Sequence, residues 1–188
     1  MEKFVCKIDP KIIYDLNNQI SKNRIINWAP DYNDQAGISF DDLSYILDYW
    51  KNKFSWTKEE EKLNKFNQYV FQYDNVKTHF LHIKSNHKNS IPLLLIHGWP
   101  GSIFEFNDLI PLLTSSDKNS LKDYQAFDLI IPSLPNVGFS FSPQQKPLDL
   151  AEISSHFIML MKTLGYKKYF IQGGDLGSFI ASITAVNG

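Results

Sequence analysis

The residues with the clearest chemical potential lie in the stretch "GGDLG" (residues 173–177). Asp175 stands at its centre, after an apolar run typical of a strand and before a run typical of a helix. The spacing small-x-X-x-small at a strand-to-helix turn is that of a nucleophile elbow, which projects the central side chain from the end of the strand. Flanking glycines avoid clashes in so tight a turn, and the N-terminus of the following helix favours an ionised carboxylate. The pattern predicts that Asp175 is a nucleophile.

A plainer interpretation of Asp175 is a helix N-cap beside flexible glycines. Taken alone, a glycine-rich turn with one aspartate is weak evidence for catalysis, because short motifs also occur by chance. A second motif favours catalysis: "HGWPG" (residues 97–101) follows the apolar run "PLLLI" and precedes a capped helix. In an α/β-hydrolase, the loop at this place gives one backbone N–H to the oxyanion hole, and the residue after the nucleophile gives the other.

The residue type at the elbow selects the reaction. Serine there performs acyl transfer, whereas a carboxylate suits displacement at an sp³ carbon and gives an alkyl-enzyme ester. Water activated by a histidine–carboxylate pair would then attack the carbonyl carbon of Asp175, while the oxyanion hole holds the developing charge. Epoxides and alkyl halides are the substrates open to such attack. No cofactor is expected for this chemistry.

The elements around the two motifs predict an α/β sheet. The stretch "QYVFQYDNVKTHFLHIKS" predicts two strands joined near Asp74 and Asn75. The runs "PLLLI", "AFDLIIPSLP" and "KKYFIQGG" are continuously apolar, as expected of strands buried in a parallel sheet. Helices are predicted from residue 102, over residues 150–164 and after residue 175. The order of two strands followed by β-α-β-α-β-α predicts a mixed, mostly parallel sheet.

Residues 1–67 predict helices and loops in front of this core. Asp9, Ser39 and Thr57 are each predicted to cap a helix, because each precedes a run with apolar residues at helical spacing. The stretch "NWAPDYNDQAG" (residues 27–37) predicts a loop by its Pro, Gly, Asn and Asp content.

Five stretches together resemble the microsomal-type epoxide hydrolases, a group that includes the juvenile hormone epoxide hydrolases. In chain order they are "DYWKNKFSWTKEEEKLNKF", "VKTHFLHIKS", "LIHGWPGSIFEFNDLIPLL", "IIPSLPNVGFSFSP" and "YFIQGGDLGS". They occur at spacings like those of the family, and the combination of "HGWPGS" with "GGD" is specific. The resemblance implies a helical N-terminal epoxide hydrolase segment over residues 1–67 and a partial α/β-hydrolase core over residues 68–188.

The resemblance also implies roles for five residues. Asp175 would be the nucleophile, and Trp99 and Leu176 would give the backbone N–H groups of the oxyanion hole. Trp99, Pro100 and Phe139 would contact the substrate, a small epoxide that is hydrolysed to a diol. The Trp99–Pro100 peptide would be cis.

Two places depart from the family pattern. Leu176 stands where the family usually has tryptophan, so the backbone N–H is retained but an aromatic wall of the pocket is lost. Asn136 and Val137 stand where the family has glycine and an aromatic residue. Asparagine tolerates left-handed backbone, so the turn is expected to persist. Both departures concern substrate fit more than fold.

The five histidines supply neither a catalytic base nor a metal site. His97 is expected to be structural. His79 and His82 are three residues apart on a strand, so they face opposite sides and cannot share a metal. His87 is predicted to lie in a surface loop. His156 is predicted to lie beside the apolar stripe of its helix, where it would be solvated or act as a capping residue.

In this fold the acid and the histidine follow the nucleophile in sequence, but residues 176–188 contain no Asp, Glu or His. The chain is therefore expected to be the N-terminal part of an epoxide hydrolase, without its lid and C-terminal half, and inactive alone. The strand before Asp175 is expected to have an unpaired apolar edge, which would allow self-association. Two alternatives stay open. A haloalkane dehalogenase-like hydrolase is disfavoured by the "HGWPGS" context, and a non-catalytic remnant is compatible with Leu176 and Asn136.

Composition narrows the partners and the location. The net charge is −1, with 43% hydrophobic and 21% charged residues, so no nucleic-acid partner is indicated. The longest apolar run, "PLLLI", is far shorter than the roughly 20 residues of a membrane span. No signal-peptide core is seen at the start, and Cys6 is the single cysteine, which excludes an internal disulfide. A soluble, cytoplasmic protein is expected.

Overall fold

The computed structural model of the protein describes residues 1–26, 37–114 and 125–188. They form two compact units: one is Cys6–Lys65, and the other combines Met1–Val5 with Phe66–Gly188. The predicted loop "NWAPDYNDQAG" lies outside the described residues, apart from its last residue, Gly37.

The described residues of the Cys6–Lys65 unit form three helices: α1 (Pro10–Lys22), α2 (Phe40–Asn52) and α3 (Trp56–Leu63). Asp9 and Ser39 cap α1 and α2 with their side-chain oxygens, as predicted. The predicted cap of the third helix is wrong, because Ser55 and not Thr57 occupies the N-cap of α3. Ser55 has extended backbone and its hydroxyl accepts a hydrogen bond from the N–H of Lys58, so the helix begins before Thr57 is reached.

The end of α3 binds the chain segment that precedes α1. The Asn64 side chain accepts the N–H of Cys6 at 2.9 Å and donates to the Cys6 carbonyl at 2.7 Å. The Glu60 carboxylate accepts the N–H of Ile8 at 2.8 Å. Cys6 is buried, and burial, reinforced by the negative charge of Glu60, raises the pKa of its thiol to about 11. The thiol is therefore protonated at neutral pH and is not a reactive nucleophile.

The larger unit is built on a six-stranded sheet. Its strands are β1 (Glu2–Phe4), β2 (Gln68–Tyr73), β3 (Val76–Ile83), β4 (Ile91–Ile96), β5 (Phe127–Pro132) and β6 (Phe170–Gly173), in the spatial order β1-β2-β3-β5-β4-β6. The β1–β2, β2–β3 and β3–β5 pairs are antiparallel, and β4 pairs in parallel with both β5 and β6.

The α/β sheet is therefore mixed, as predicted, but it is not mostly parallel: antiparallel pairs outnumber parallel ones among the described strands. The cause is a meander at the start of the sheet, in which β1, β2 and β3 follow one another before the first parallel pair forms. Strand β1 lies within the segment predicted to be helices and loops. It is three residues long, too short for a periodic signal, and it is held by its pairing with β2.

Turn chemistry fixes the register of the β2–β3 hairpin. Asp74 and Asn75 both have positive φ, at 48° and 61°. This combination is the two-residue turn whose twist matches that of antiparallel strands, and aspartate and asparagine tolerate it best after glycine. The predicted joint between the two strands is confirmed.

Three helices accompany the sheet: α4 (Leu109–Thr114), α5 (Leu150–Thr163) and α6 (Leu176–Asn187). Ser102 and Glu105 form a reciprocal capping box, but the helix predicted there is split into a 3-10 helix (Ile103–Phe106) and α4. The buried core contains residues of α5 and α6 together with residues of the sheet: Phe157, Leu160, Met161, Ile180, Leu94, Ile96, Ile130 and Phe80. Burial of these apolar side chains supplies the main driving force that holds β4, β5 and β6 in place.

The prediction for His156 is wrong. His156 is buried in α5, with 3% of its surface exposed, and its Nε2 lies 3.0 Å from the Thr78 hydroxyl of β3. Burial lowers the pKa of His156 to about 4. It is neither solvated nor a cap.

In the part of the chain that the structure describes, no helix has the length and apolar character needed to cross a membrane. A group of three or more His, Cys, Asp or Glu side chains able to hold a metal is also absent from these residues.

Candidate active site

Asp175 lies in the turn between β6 and α6, with φ 52° and ψ −126°. This backbone conformation is rare for a residue with a side chain and costs on the order of 1–3 kcal/mol. Asp175 occupies the position before the first helical residue, but its side chain makes no helix-capping hydrogen bond. The N-cap interpretation thus holds for the position of Asp175 but not for its side chain. The exposed carboxylate points instead to the loop after β4.

Glycines allow the elements around Asp175 to come close together. A Cβ on Gly98 would lie 2.5 Å from Cβ of Asp175, and a Cβ on Gly177 would lie 2.8 Å from the His97 carbonyl oxygen. A Cβ on Gly173 would overlap the backbone of Gly177. Real Cβ atoms do not approach other atoms so closely, so a side chain at any of these positions would displace the elbow or the loop that faces it.

Trp99 brings its backbone N–H to the carboxylate, where it donates to Oδ1 of Asp175 at 3.0 Å. The backbone N–H of Leu176 also hydrogen-bonds this carboxylate. The Trp99 bond, followed by the Leu176 bond, lowers the pKa of Asp175 below its ordinary value. The structure thus brings together the three residues predicted as nucleophile and oxyanion donors, with the carboxylate ionised at neutral pH.

The loop that carries Trp99 has the predicted cis peptide between Trp99 and Pro100. Both side chains are exposed, and the Trp99 indole keeps 65% of its surface accessible. An exposed indole beside Asp175 is accessible to a substrate, and contact with substrate is the role that the sequence predicts for Trp99 and Pro100.

His97 lies directly under this loop and is buried. Its Nδ1 lies 2.7 Å from the Gly98 carbonyl oxygen, and its Nε2 accepts the backbone N–H of Leu134 at 3.0 Å. Burial is the main cause that lowers the pKa of His97. Sequence reasoning predicted only a structural role for His97 and missed these two partners.

The loop after β5 carries Asn136 and Val137, one of the two places where the sequence departs from the family pattern. Asn136 has φ 63° and Gly138 has φ 52°, so the left-handed turn persists with asparagine in it. His79 of β3 contacts two residues of this loop: its backbone N–H donates to the Ser140 hydroxyl, and its ring Nδ1 lies 2.9 Å from the Ser133 hydroxyl. Burial lowers the pKa of His79 to about 4.

Phe139 of the same loop packs on rings of the sheet. Its ring centroid lies 5.1 Å from that of His79 and 5.7 Å from that of Phe4. These contacts give Phe139 a packing role on the β1–β3 side of the sheet. They do not bring it to Asp175, and its predicted contact with substrate stays a prediction.

Comparison with known proteins decides the family. The family described as "Epoxide hydrolase N terminus" matches residues 1–106, and the family described as "alpha/beta hydrolase fold" matches residues 91–187. The chain belongs to the epoxide hydrolase family. Together, these two matches account for both the helical segment and the sheet with its elbow.

Individual epoxide hydrolases show the same likeness. The chain is 36% identical over 174 residues to epoxide hydrolase 1 of Sus scrofa, which covers 90% of this chain and 38% of the relative. The crystal structure of juvenile hormone epoxide hydrolase from Bombyx mori superimposes with a TM-score of 0.87 at 32% identity, covering 98% of this chain and 49% of that one. The Aspergillus niger epoxide hydrolase gives a TM-score of 0.82 at 30% identity, again over 98% and 49%.

The chain thus spans about two fifths of the curated relative's length and about half of the solved chains. The sheet edge that carries Asp175 and the loop that faces it lie within the shared part. The fold is that of the epoxide hydrolases, an α/β-hydrolase sheet with a helical segment near its N-terminus.

Proposed function

We propose that this protein hydrolyses small epoxides to diols through an ester formed on Asp175. One observation carries the proposal: the N–H of Trp99 holds Oδ1 of the exposed Asp175 carboxylate at 3.0 Å. Asp175 is exposed, and its lowered pKa keeps it ionised at neutral pH. A positioned, ionised carboxylate of this kind is suited to displacement at carbon.

In the first step, Oδ2 of Asp175 attacks an epoxide carbon, and the C–O bond of the strained ring breaks. The electron pair goes to the epoxide oxygen, which takes up a proton from a general acid. The products are an alkyl ester on Asp175 and a free hydroxyl. Oδ1, the oxygen held by Trp99, becomes the ester carbonyl oxygen.

In the second step, a water molecule loses a proton to a base and attacks the carbonyl carbon of the ester. Negative charge develops on the carbonyl oxygen, where the N–H groups of Trp99 and Leu176 are already aimed. Donors in place before the reaction lower the barrier, because they need no reorganisation when the charge appears. The bond between the carbonyl carbon and the ester oxygen then breaks, the expelled oxygen takes up the proton that the water lost, and the diol leaves. The new carboxyl group gives up its own proton, which restores the carboxylate and the general acid.

The general acid and the water-activating base are assigned to groups beyond these 188 residues. Residues 176–188 contain no Asp, Glu or His. Of the five histidines, only His97 adjoins the oxyanion loop, and both of its ring nitrogens are engaged by backbone groups. This assignment agrees with the length of the relatives, of which the chain covers about two fifths to one half.

The test is one round of reaction in ¹⁸O-labelled water, with the full-length gene product in excess over styrene oxide. Because water attacks the carbonyl carbon of the ester, the first diol should carry unlabelled oxygen and Asp175 should acquire ¹⁸O. Direct attack of water on the epoxide would put the label into the diol and would refute the proposal. Release of halide from a chloroalkane, without diol from the epoxide, would favour a dehalogenase. Absence of any adduct would favour a non-catalytic remnant.

Self-association is a separate proposal, supported by the free edge of the sheet. Strand β6 pairs with β4 on one side only among the described strands, and Phe170 keeps 60% of its surface exposed at that edge. Unpaired strand edges are templates for pairing with another chain. Sedimentation of the wild-type protein and of Phe170→Lys tests it, and identical monomeric behaviour of both would argue against it.

A cytoplasmic location is likewise proposed, on the support of the single cysteine. Cys6 has no second cysteine in this chain to pair with, and its buried thiol is kept protonated. Such a thiol suits a reducing compartment. Fractionation of cells that express the full-length gene product tests this proposal, and recovery from a membrane or secreted fraction would contradict it.

A further inference from the structure

The His97 imidazole connects two loops that meet behind the nucleophile. It lies between the Gly98 carbonyl oxygen, 2.7 Å from Nδ1, and the Leu134 backbone nitrogen, 3.0 Å from Nε2. The ring is buried, with 1% of its surface exposed. Both ring nitrogens are therefore used, and water does not compete for them.

The two partners fix the proton on the ring. A carbonyl oxygen can only accept a hydrogen bond, so Nδ1 of His97 carries the proton and donates to Gly98. An amide N–H can only donate, so Nε2 carries the lone pair and accepts from Leu134. The neutral Nδ1–H tautomer satisfies both bonds. The other tautomer would place two donors face to face at Leu134 and two acceptors face to face at Gly98.

The Gly98 carbonyl and the Trp99 N–H belong to the same peptide group. A peptide group is planar, so a bond that fixes the direction of its C=O also fixes the direction of its N–H. That N–H donates to Oδ1 of Asp175 at 3.0 Å. The hydrogen bonds thus form one continuous series: from Leu134 N–H to the His97 ring, from the ring to the Gly98 carbonyl, and from the Trp99 N–H to Asp175.

We propose that His97 is a positioning residue for the oxyanion hole, which holds the Gly98–Trp99 peptide so that its N–H points at the reacting carboxylate. This role rests on the proposed ester mechanism and adds a named residue to it. The geometry gives two physical effects. A hydrogen bond weakens steeply as its angle departs from linearity, so loss of the anchor on the carbonyl side misdirects the donor. Hydrogen bonds in series also polarise one another, which makes the Trp99 N–H a stronger donor.

The competing explanation is that His97 only holds the loop that contains Leu134. The two roles can be distinguished because each depends on a different ring nitrogen: Nδ1 for the bond to Gly98 and Nε2 for the bond to Leu134. In His97→Asn, the side-chain amide N–H lies where Nδ1–H was, which keeps the donor to Gly98 and loses the acceptor for Leu134. In His97→Gln, the amide oxygen lies where Nε2 was, which keeps the acceptor for Leu134 and loses the donor to Gly98. The positioning role predicts that His97→Gln is the more damaging change.

The first readout is the titration of the Asp175 carboxyl, followed by ¹³C NMR of the full-length gene product. The Trp99 bond is the largest cause that lowers this pKa. His97→Gln should therefore raise the Asp175 pKa relative to wild type, and His97→Asn should raise it less. His156→Gln is the matched control, because it changes a buried histidine of α5 and should leave the Asp175 titration in place. A loop-holding role would move the Asp175 pKa in neither His97 variant, or more in His97→Asn.

The second readout is the rate at which water hydrolyses the styrene oxide ester of Asp175 in a single turnover, because the oxyanion charge develops in that step. Loss of a whole oxyanion donor costs about 10²–10³-fold, so a misdirected donor should cost about 10-fold to 100-fold in His97→Gln. His97→Asn should lose at least tenfold less. Equal losses in the two variants would overturn the positioning role. The titration needs no epoxide, so it decides the role of His97 even if the protein makes no ester and the proposed function fails.

Wild-type protein gives a further test that does not depend on the folding of a variant. The ¹⁵N shifts of the His97 ring should show a protonated Nδ1 and an unprotonated Nε2 at neutral pH. A proton on Nε2 would exclude the bond to Gly98 and would overturn the proposal.

Discussion

The backbone N–H of Trp99 lies 3.0 Å from Oδ1 of Asp175, although 76 residues separate the two in sequence. The distance is that of a good hydrogen bond, and it exists before any substrate arrives. One carboxylate oxygen is thereby set apart from the other. In the proposed mechanism, the held oxygen carries charge in the hydrolytic step and the other oxygen attacks the epoxide.

The first prediction concerns the nucleophile itself. In Asp175→Asn the side chain keeps its shape but loses the anionic oxygen, so no ester should form with styrene oxide. Because Asp175 is exposed, the unfolding midpoint should change little. Peptide mass spectrometry after a single turnover checks this. A label on any other residue in the wild-type protein would refute the assignment.

The second prediction uses the close contact between Gly98 and Asp175. Gly98→Ala puts a methyl group 2.5 Å from Cβ of Asp175, so either the elbow or the oxyanion loop must move. Ester formation should slow by about 10²-fold, since a misplacement of the order of 1 Å costs that much.

Gly174→Ala is the control for this change. A Cβ at Gly174 would meet nothing within 4 Å, and its φ is not positive. Its effect on ester formation should stay within about threefold. If Gly98→Ala reacts as fast as Gly174→Ala, the close contact does not constrain the nucleophile.

Local sequence signals were enough to predict the parts of the site that depend on neighbouring residues. The elbow, the "HGWPG" loop and the capping box at Ser102 are each set by spacings of a few residues, and the structure shows all three. Asn136 was expected to keep the left-handed turn, and it does. Such features rest on backbone sterics and turn chemistry, which short stretches specify.

Features that depend on distant partners could not be predicted in the same way. His97 hydrogen-bonds Gly98, the next residue, and Leu134, which lies 37 residues further along the chain. No local sequence pattern encodes the bond to Leu134. Strand β1 exists only through its pairing with β2.

The burial of His156 is different, because the helical spacing of the sequence did indicate it. It lies three residues after Ile153 and four before Leu160, which places it on the same buried face of the helix.

The third prediction concerns Leu176. Its backbone N–H hydrogen-bonds the Asp175 carboxylate, and 37% of the residue's surface is exposed. Leu176→Trp restores the residue type that the family usually has, without changing the backbone donor. We expect KM for an aromatic epoxide to change, with a smaller effect on the rate of ester formation. Steady-state and single-turnover kinetics on the full-length gene product separate the two. A thousandfold gain in kcat at constant KM would contradict this expectation.

The fourth prediction is a loss of stability in mild acid. Burial lowers the pKa of His79 and His156 to about 4, whereas each titrates near 6.5 in the unfolded chain. The unfolded state therefore binds more protons between these two values. The stabilisation is complete above about pH 6.5 and is lost as the pH falls towards 4. From pH 7 to pH 5 the free energy of unfolding should fall by on the order of 1–2 kcal/mol for each histidine.

Urea denaturation of the full-length gene product at pH 7 and pH 5 measures this loss. The double variant Thr78→Val, His156→Leu removes one buried histidine together with the hydroxyl that hydrogen-bonds its ring, so that hydroxyl is not left unpaired. It should show a smaller pH-dependent change than the wild type, because His79, His82 and His97 keep their lowered pKa values. An unaltered pH dependence would mean that His156 is not the group that titrates.

The last prediction concerns a polypeptide of residues 1–188 alone. It depends on which steps of the proposed mechanism the groups in these residues can perform. The nucleophile and both oxyanion donors are present, whereas the Asp175 carboxylate hydrogen-bonds backbone N–H groups and no histidine among the described residues. General acid and general base catalysis each contribute about 10²–10⁴-fold. Without them, ester formation should be slow and should stop at one equivalent, with Asp175 as the labelled residue. Mass spectrometry of the intact chain and diol analysis measure this outcome, with Asp175→Asn as the control. Repeated turnover to diol would show that these residues contain their own base, and it would remove the reason for assigning that role elsewhere.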